Sequence, residues 1–375
     1  MIAIELSPLE LDPRSGLSRI PPRLEDSRQP SYDEEFDRET ILYDLFRSPD
    51  GNMIVGIGPP LANLADEVLP VLKRQFGCLD HRSLDRISQL WFSHGRDSCA
   101  FPPGLFKQTK LEVQPNHHAL FHGKKVALVK SRDNLLTWIW EWAYFLAECH
   151  GCDAILFYDN GSNGYAIAEI QKTLASVPGI ATAVVVAWPY KFGPSGRPHL
   201  VWDSDFCQYG ILEHARHRFL ATAHSVLQTD IDELVLTEGG TSVFDLVSRS
   251  TTGHIRFDGR WVENATAGFP NPADRRHRNY FYLDAKKSNR RTQPKWAAVP
   301  QRCPHSAQWC VHWISNMKPD LIASARANLR HFKAINTNWL FNRWQYESLD
   351  PERHVIDEEL ARWMRVFENT NGSQA

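Results

Sequence analysis

The sequence predicts an α/β fold in which a parallel sheet is covered by helices on both faces, and three observations carry that reading. From residue 124 onward, apolar runs rich in β-branched residues alternate with helical runs in the order β-α-β-α-β-α-β, the order that builds parallel sheets. Polar loops fall at the ends of three of those strands: Lys130-Ser131-Arg132-Asp133-Asn134, Asp159 to Gly164, and Asp230 to Glu233. In such sheets ligands bind outside the carboxyl ends of the strands. The third loop, Thr229-Asp230-Ile231-Asp232-Glu233-Leu234, follows an apolar run from Ala223 to Leu227. Side chains alternate along a strand, so Asp230 and Asp232 share one side. Two hard oxygen ligands at that spacing suit Mg²⁺ or Mn²⁺, whose other ligands are water and phosphate. A solvated acidic loop is the plain alternative for these residues taken alone.

Composition sets the bounds. At 375 residues the chain can hold one large domain and a smaller module. With 42% apolar and 23% charged residues it is ordinary globular material, and a net charge of −2 gives no field that would draw nucleic acid. No apolar run approaches the roughly 18 residues of a membrane span. The first residues carry early acids and no long apolar core, so a cytoplasmic protein is expected, with room for peripheral attachment to a membrane. Seven Cys, an odd count, argues for reduced thiols. In Cys149-His150-Gly151-Cys152, Gly151 reads as a left-handed helix cap and Cys152 as a small apolar residue opening a strand. Thirteen Trp are a weak hint of sugar stacking.

Taken in order, residues 1–38 are rich in Pro, Arg and acids and read as disordered or extended. Residues 39–120 read as a separate small α+β module. In it, strands Ile41 to Phe46 and Met53 to Ile57 flank Ser48-Pro-Asp-Gly-Asn52, a helix runs from Leu61 to Phe76, and short strands lie at Gln89 to Ser93 and Leu111 to Val113. The main domain is placed at 121–350. Its strands begin at Lys125, Ala154, Ala181 and Ser225, and its helices span Asn134 to Cys149, Ala166 to Leu174 and Asp205 to Arg218. Beyond it, Ser242 to Ser250 reads as a helix, with strands at Gly253 to Phe257 and Asn279 to Leu283. Residues 284–304 form a basic polar stretch, and closing helices are expected at Asn338 to Ser348 and Glu358 to Glu368, with 351–375 as the C-terminal helix and tail.

Asn134, Glu141-Trp142, Gly151, Tyr158-Asp159-Asn160 with Ser162, Gln208 and Asp230-Ile231-Asp232-Glu233 form an ordered set. The set resembles the GT-A glycosyltransferases, in particular the family 2-like and family 92-like group, over about residues 124–345. The resemblance implies a GT-A fold, a Rossmann-like mixed sheet, preceded by an N-terminal β-rich module. It implies a metal-dependent enzyme that moves a sugar from a nucleotide-sugar donor to a carbohydrate or lipid-linked glycan acceptor, with bacterial surface polysaccharide as the expected setting. Mn²⁺ or Mg²⁺ would neutralise the diphosphate leaving group. Asp230 and Asp232 would face the metal with His312 (His331 the second choice), and Glu233 would support them. Lys130, Arg132, Asn134, Asp159, Asn160 and Asp230 would line the nucleotide side, with Lys295 and Arg343 on the diphosphate. Glu141 and Trp142 either serve the site or simply pack their helix. Glu263, or Asp258, would be the catalytic base of an inverting enzyme; a retaining enzyme would need none. Three departures stand out: extra residues between Lys130 and Asn134, Asn163-Gly164 after Ser162, and Phe145-Leu146 where a His is usual.

Two other classes compete. A haloacid-dehalogenase-like phosphatase opens with Asp-x-Asp after a strand, but Leu234 stands where Thr or Val belongs and three α/β units precede the motif. A non-catalytic nucleotide-sugar or glycan-binding module would bind a donor and turn nothing over.

Overall fold

A computed structural model describes residues 4–77, 79–93, 96–196, 200–266, 274–287, 291–337 and 347–369. After an extended N-terminal segment come β1 (Asp44–Arg47), β2 (Ile54–Gly58), α1 (Ala65–Phe76), β3 (Leu79–Leu84) and β4 (Ile87–Phe92). These strands form an antiparallel sheet in the order β1-β2-β4-β3. The central sheet draws on β5 (Lys125–Ser131), β6 (Ala154–Asp159), β7 (Thr182–Ala187) and β8 (Ser225–Gln228), linked by α2 (Leu136–His150), α3 (Ile167–Ala175) and α4 (Phe206–Arg218). Then follow β9 (Glu233–Thr237), α5 (Val243–Arg249), β10 (His254–Phe257), β11 (Gly259–Val262), β12 (Lys295–Ala298), β13 (Ala327–Phe332) and α6 (Glu358–Met364).

The central sheet has six strands in the order β7-β6-β5-β8-β12-β10. The first four run parallel, and β12 is antiparallel to both its neighbours. The chain builds outward from β5 to β7, then returns to lay β8 on the other side of β5. That reversal makes the β5–β8 seam the switch point, where the loops diverge and leave a crevice. A second sheet, β9-β13-β11, stands beside it.

α2 is apolar nearly all round because it is covered nearly all round: Trp138, Trp142, Phe145 and Leu146 are buried in one core with Val129, Phe157 and residues of β9 and α6. It ends where Gly151 takes φ +65°, a conformation only glycine adopts cheaply. Cys149 and Cys152 are unpaired, and burial pushes both thiols up to about 12, as befits small apolar residues.

Several expectations change. Residues 4–38 run over the surface with only a two-residue strand and three short helical turns, yet they are held rather than disordered: Leu9, Leu11, Tyr32 and Phe36 are fully buried. Arg23 clamps Asp203 at 2.7 Å and the Ser195 carbonyl at 3.0 Å. Nor does the β1–β4 sheet stand apart, for Tyr43, Phe46, Val55, Ile57 and Trp91 share one core with α4 and with the outer face of β5 and β6. The basic stretch 284–304 conceals β12, an inner strand of the sheet. Asn279 opens no strand; a helical turn at His277–Asn279 precedes Tyr282–Asp284. The helix expected from Asn338 lies mostly outside the described residues, and Glu347–Ser348 pair as a short strand. Among the described residues no helix is long and apolar enough to cross a membrane.

Candidate active site

The acidic loop leaves β8 at the switch point, and β9 begins at Glu233. The turn closes on itself, with the Asp230 amide donating to Glu233 Oε2 at 2.9 Å. β12 brings Lys295 alongside, because its antiparallel pairing with β8 sets Trp296 opposite Gln228. The Lys295 ammonium lies 2.7 Å from Asp230 Oδ2 and 3.4 Å from Glu233 Oε2. From β13, His331 donates through Nε2 to Asp232 Oδ2 at 2.9 Å, and its Nδ1 lies 3.4 Å from Glu233 Oε1. Trp261 on β11 stacks on that imidazole, with ring centroids 4.2 Å apart. Asp230 remains 37% exposed and Asp232 18%, so the cluster opens to solvent on their side.

The electrostatics are lopsided. Burial works against the Asp230 charge, but Lys295, then Lys130 and His331, hold its carboxyl well below the usual range. Burial pushes Glu233 up, Asp230 and Asp232 add to the push, and Lys295 opposes it. Burial also lowers Lys130, whose ammonium lies 4.5 Å from the Phe192 ring and feels Asp230 and Asp232. Lys130 and Asp230 therefore face each other across the β5–β8 seam. Beneath them a small cavity of about 20 Å³, lined also by Gln208 and Gln228 and by the apolar Leu128, Ile211, Leu212 and Val311, has room for one water.

The neighbouring loops are stitched together. Asp133, at φ +54°, accepts from the amides of Asn163 (2.6 Å) and Gly164 (3.2 Å), and its own amide donates to Ser162 Oγ at 2.8 Å. The extra residues after Lys130 thus tie the first loop to the second. Asp159 accepts from the Ser162 hydroxyl at 2.5 Å, and Asn160 donates to the Trp188 and Tyr190 carbonyls at 2.8 Å each. Asn134 donates to Ser131 Oγ, and Arg132 is half exposed beside Asp133. Asp159, Asn160 and Asn134 thus spend polar atoms on holding neighbouring loops, whereas Lys130 and Asp230 line the small cavity.

Glu141 and Trp142 reach the motif from behind. Trp142 Nε1 donates to Thr229 Oγ1 at 3.3 Å. Glu141 is fully buried, and burial opposes its charge, yet His277 and Arg278 bring its carboxyl below the usual range. It accepts from the His277 amide at 2.7 Å, and His277 Nε2 donates onward to the Ile231 carbonyl at 2.8 Å. One helix position thus fixes the peptide between Asp230 and Asp232.

The remaining expected residues fare differently. His312 lies within electrostatic reach of Lys295 and Asp230: burial and then Lys295 bring it down to about 4 while Asp230 pulls the other way, and its Nδ1 donates to the Pro294 carbonyl at 3.0 Å. His331 takes the place beside Asp232. Glu263 is buried and held by Lys333. Asp258 is tied to Arg291 at 2.7 Å. Arg343 lies outside the described residues. Trp261 and His277 escape a reading by motif, since each belongs to the site only through sheet register or a turn.

Among the described residues no three His, Cys, Asp or Glu side chains form a ready-made metal shell. Asp232 and His331 nonetheless offer one oxygen and one nitrogen at the same edge. That donor set fits a cation that completes its shell from phosphate and water, as Mg²⁺ and Mn²⁺ do.

No family model matches the chain, and no curated protein matches it. Among solved structures it is similar to S. aureus TarS, with 14% identity over 40% of this chain and 23% of that one, at a TM-score of 0.25. It is also similar to the galactosyltransferase LgtC in complex with donor and acceptor sugar analogues, with 16% identity over 36% of this chain and 46% of that one, at a TM-score of 0.24. The chain spans under half the length of either, and likenesses this slight carry no argument about its chemistry.

Proposed function

We propose that the chain is a glycosyltransferase that moves a sugar from a nucleotide-diphosphate donor to a hydroxyl acceptor, a carbohydrate or a lipid-linked glycan. One observation supports this above the others: the buried ammonium of Lys295 and the half-buried Lys130 flank a partly exposed pair of aspartates at the switch point of a mainly parallel sheet. The ammoniums favour a diphosphate, and the aspartates accept from ribose or sugar hydroxyls or hold a cation. Asp232 and His331 would hold Mn²⁺ or Mg²⁺, with Asp230 joining once a donor draws Lys295 away. A bound cation would add positive charge where the leaving diphosphate gains negative charge. Lys295 stands ready to meet the departing phosphate, and Trp261 offers a flat apolar face beside His331 for a sugar ring. Phosphomonoester hydrolysis is disfavoured, because three α/β units precede the motif and Leu234 stands where Thr or Val belongs.

A thermal-shift screen of nucleotide-sugars with and without Mn²⁺ tests the proposal, since a ligand of the native state raises its melting temperature. At least one nucleotide-sugar should stabilise wild-type protein and release its nucleotide diphosphate, and Asp232→Ala should abolish the release. An Asp232→Ala protein with wild-type turnover would overturn the proposal.

A further inference from the structure

The crossover from β10 to β11 has two sides. On the second sheet Trp261 pairs with His331 and Arg260 pairs with Arg330. Successive side chains point to opposite faces, so Trp261 and His331 face the acidic cluster while Arg260 and Arg330 face away. On that far face lies a groove of about 790 Å³, lined by Arg256, Arg260, Arg291 and Arg330 together with Asp258 and Glu359. The carboxylates are already taken: Arg291 holds Asp258 at 2.7 Å, and Arg330 holds Glu359 at 2.9 Å and also Asp357. Arg256 and Arg260 have no carboxylate partner among the described residues; Arg256 donates through Nε to the His312 carbonyl at 2.7 Å.

We infer that this groove binds an oligoanion, a stretch of acceptor bearing phosphate, sulfate or carboxylate groups remote from the reacting hydroxyl. The inference rests on the glycosyltransferase reading for the word acceptor, and on the groove alone for the anion. Guanidinium forks match such oxyanions two bonds at a time, and neutral sugar has no use for them. The volume is that of a ligand several rings long, far beyond a lone ion. Ala325, small and exposed in the lining, leaves room for a chain to lie close. The groove is also next to the chemistry: Phe257, one residue before Asp258, pairs with Lys295, and Arg256 pairs with Trp296. The concave shape favours a soluble strand over a flat lipid surface, although the exposed Leu321 at the rim makes lipid the rival.

The test uses the full chain and three probes: a labelled dextran sulfate fragment, neutral dextran of the same length, and anionic or neutral phospholipid vesicles. Wild-type protein should bind the sulfated fragment at least tenfold more tightly than neutral dextran, with an affinity that falls as salt rises. Arg256→Ser with Arg260→Ser should lose tenfold or more. Arg260→Ser alone, at an exposed position, should lose part of that. Nucleotide-sugar stabilisation should be unchanged in both variants, so a failure of the donor reading would show separately. Equal binding of the two dextrans, undiminished binding in the double variant, or binding to anionic vesicles alone would overturn the inference.

Discussion

Asp44, His214 and Arg218 form one buried ionic cluster, and Asp230, Glu233 and Lys295 form another. In the first, Asp44 takes His214 Nε2 at 2.8 Å and Arg218 at 2.6 Å, and Tyr158 closes the far side of the imidazole at 2.8 Å. Nothing there is more than 1% exposed. In the second, one ammonium serves two carboxylates, a third carboxylate leans on a histidine, and Asp230 is 37% exposed. Both clusters bury charge and both perturb pKa values, so neither property separates them. What separates them is saturation. The sealed cluster has a partner for every group and no opening, and it joins the N-terminal sheet to α4. The open cluster leaves Asp230 and Asp232 partly exposed at a strand end, where a ligand can arrive.

The sharpest way to break the contrast is to remove one member of each. Asp232→Ala should cost about 10³-fold or more in donor turnover, the size of losing one electrostatic contact to a transition state, and leave the melting temperature within a few degrees of wild type. Asp44→Ala should do the reverse. Breaking a buried pair strands the Arg218 charge and should cost roughly 3 kcal/mol of stability in denaturant titration, with turnover per folded molecule little changed. If Asp44→Ala instead removes activity at full stability, the sealed cluster is no mere joint. Glu141→Gln lies between the two. It loosens the His277 contact to Ile231 and should lower kcat about tenfold with little change in KM, an effect of the kind seen when groups behind a catalytic ligand are lost.

The smallest effect is in pH. Burial brings His214 down to about 4, against roughly 6.5 in an unfolded chain. Between those values the unfolded chain takes up a proton that the folded one refuses. The stability contributed by neutral His214 is therefore complete above about 6.5 and is lost as pH falls toward 4. Replacing it by Gln should flatten the stability profile between about pH 7 and pH 5.5 by about 1 kcal/mol.

The order of strands and helices from Lys125 to Gln228 is legible because β-branched runs, helical spacing and a cap such as Gly151 are local signals. β12 is not, because all four residues of Lys295–Ala298 are buried and leave no alternation to read, and a basic neighbourhood disguises them. The acidic loop is legible as chemistry, and Lys295 as its companion only by resemblance. The histidine is a matter of register: His331 reaches Asp232 because β13 pairs with β9, a long-range fact that neither His312 nor His331 displays in its own surroundings. The N-terminal residues mislead because their polar groups are satisfied at a distance, Arg19 by the carbonyls of Pro60, Asp37 and Thr40, so a composition typical of disorder becomes ordered.

The reach of Asp44 also bears on where this protein can be cut. His214 and Arg218 take their carboxylate from residue 44, and Arg218 also takes the carbonyls of Glu5 and Pro115. A fragment beginning at residue 121 would keep every residue of the acidic site. It would also bare one face of α4 and leave a guanidinium without its counter-charge. Such a fragment should be insoluble, and swapping the first 120 residues between proteins should succeed only when α4 travels with them.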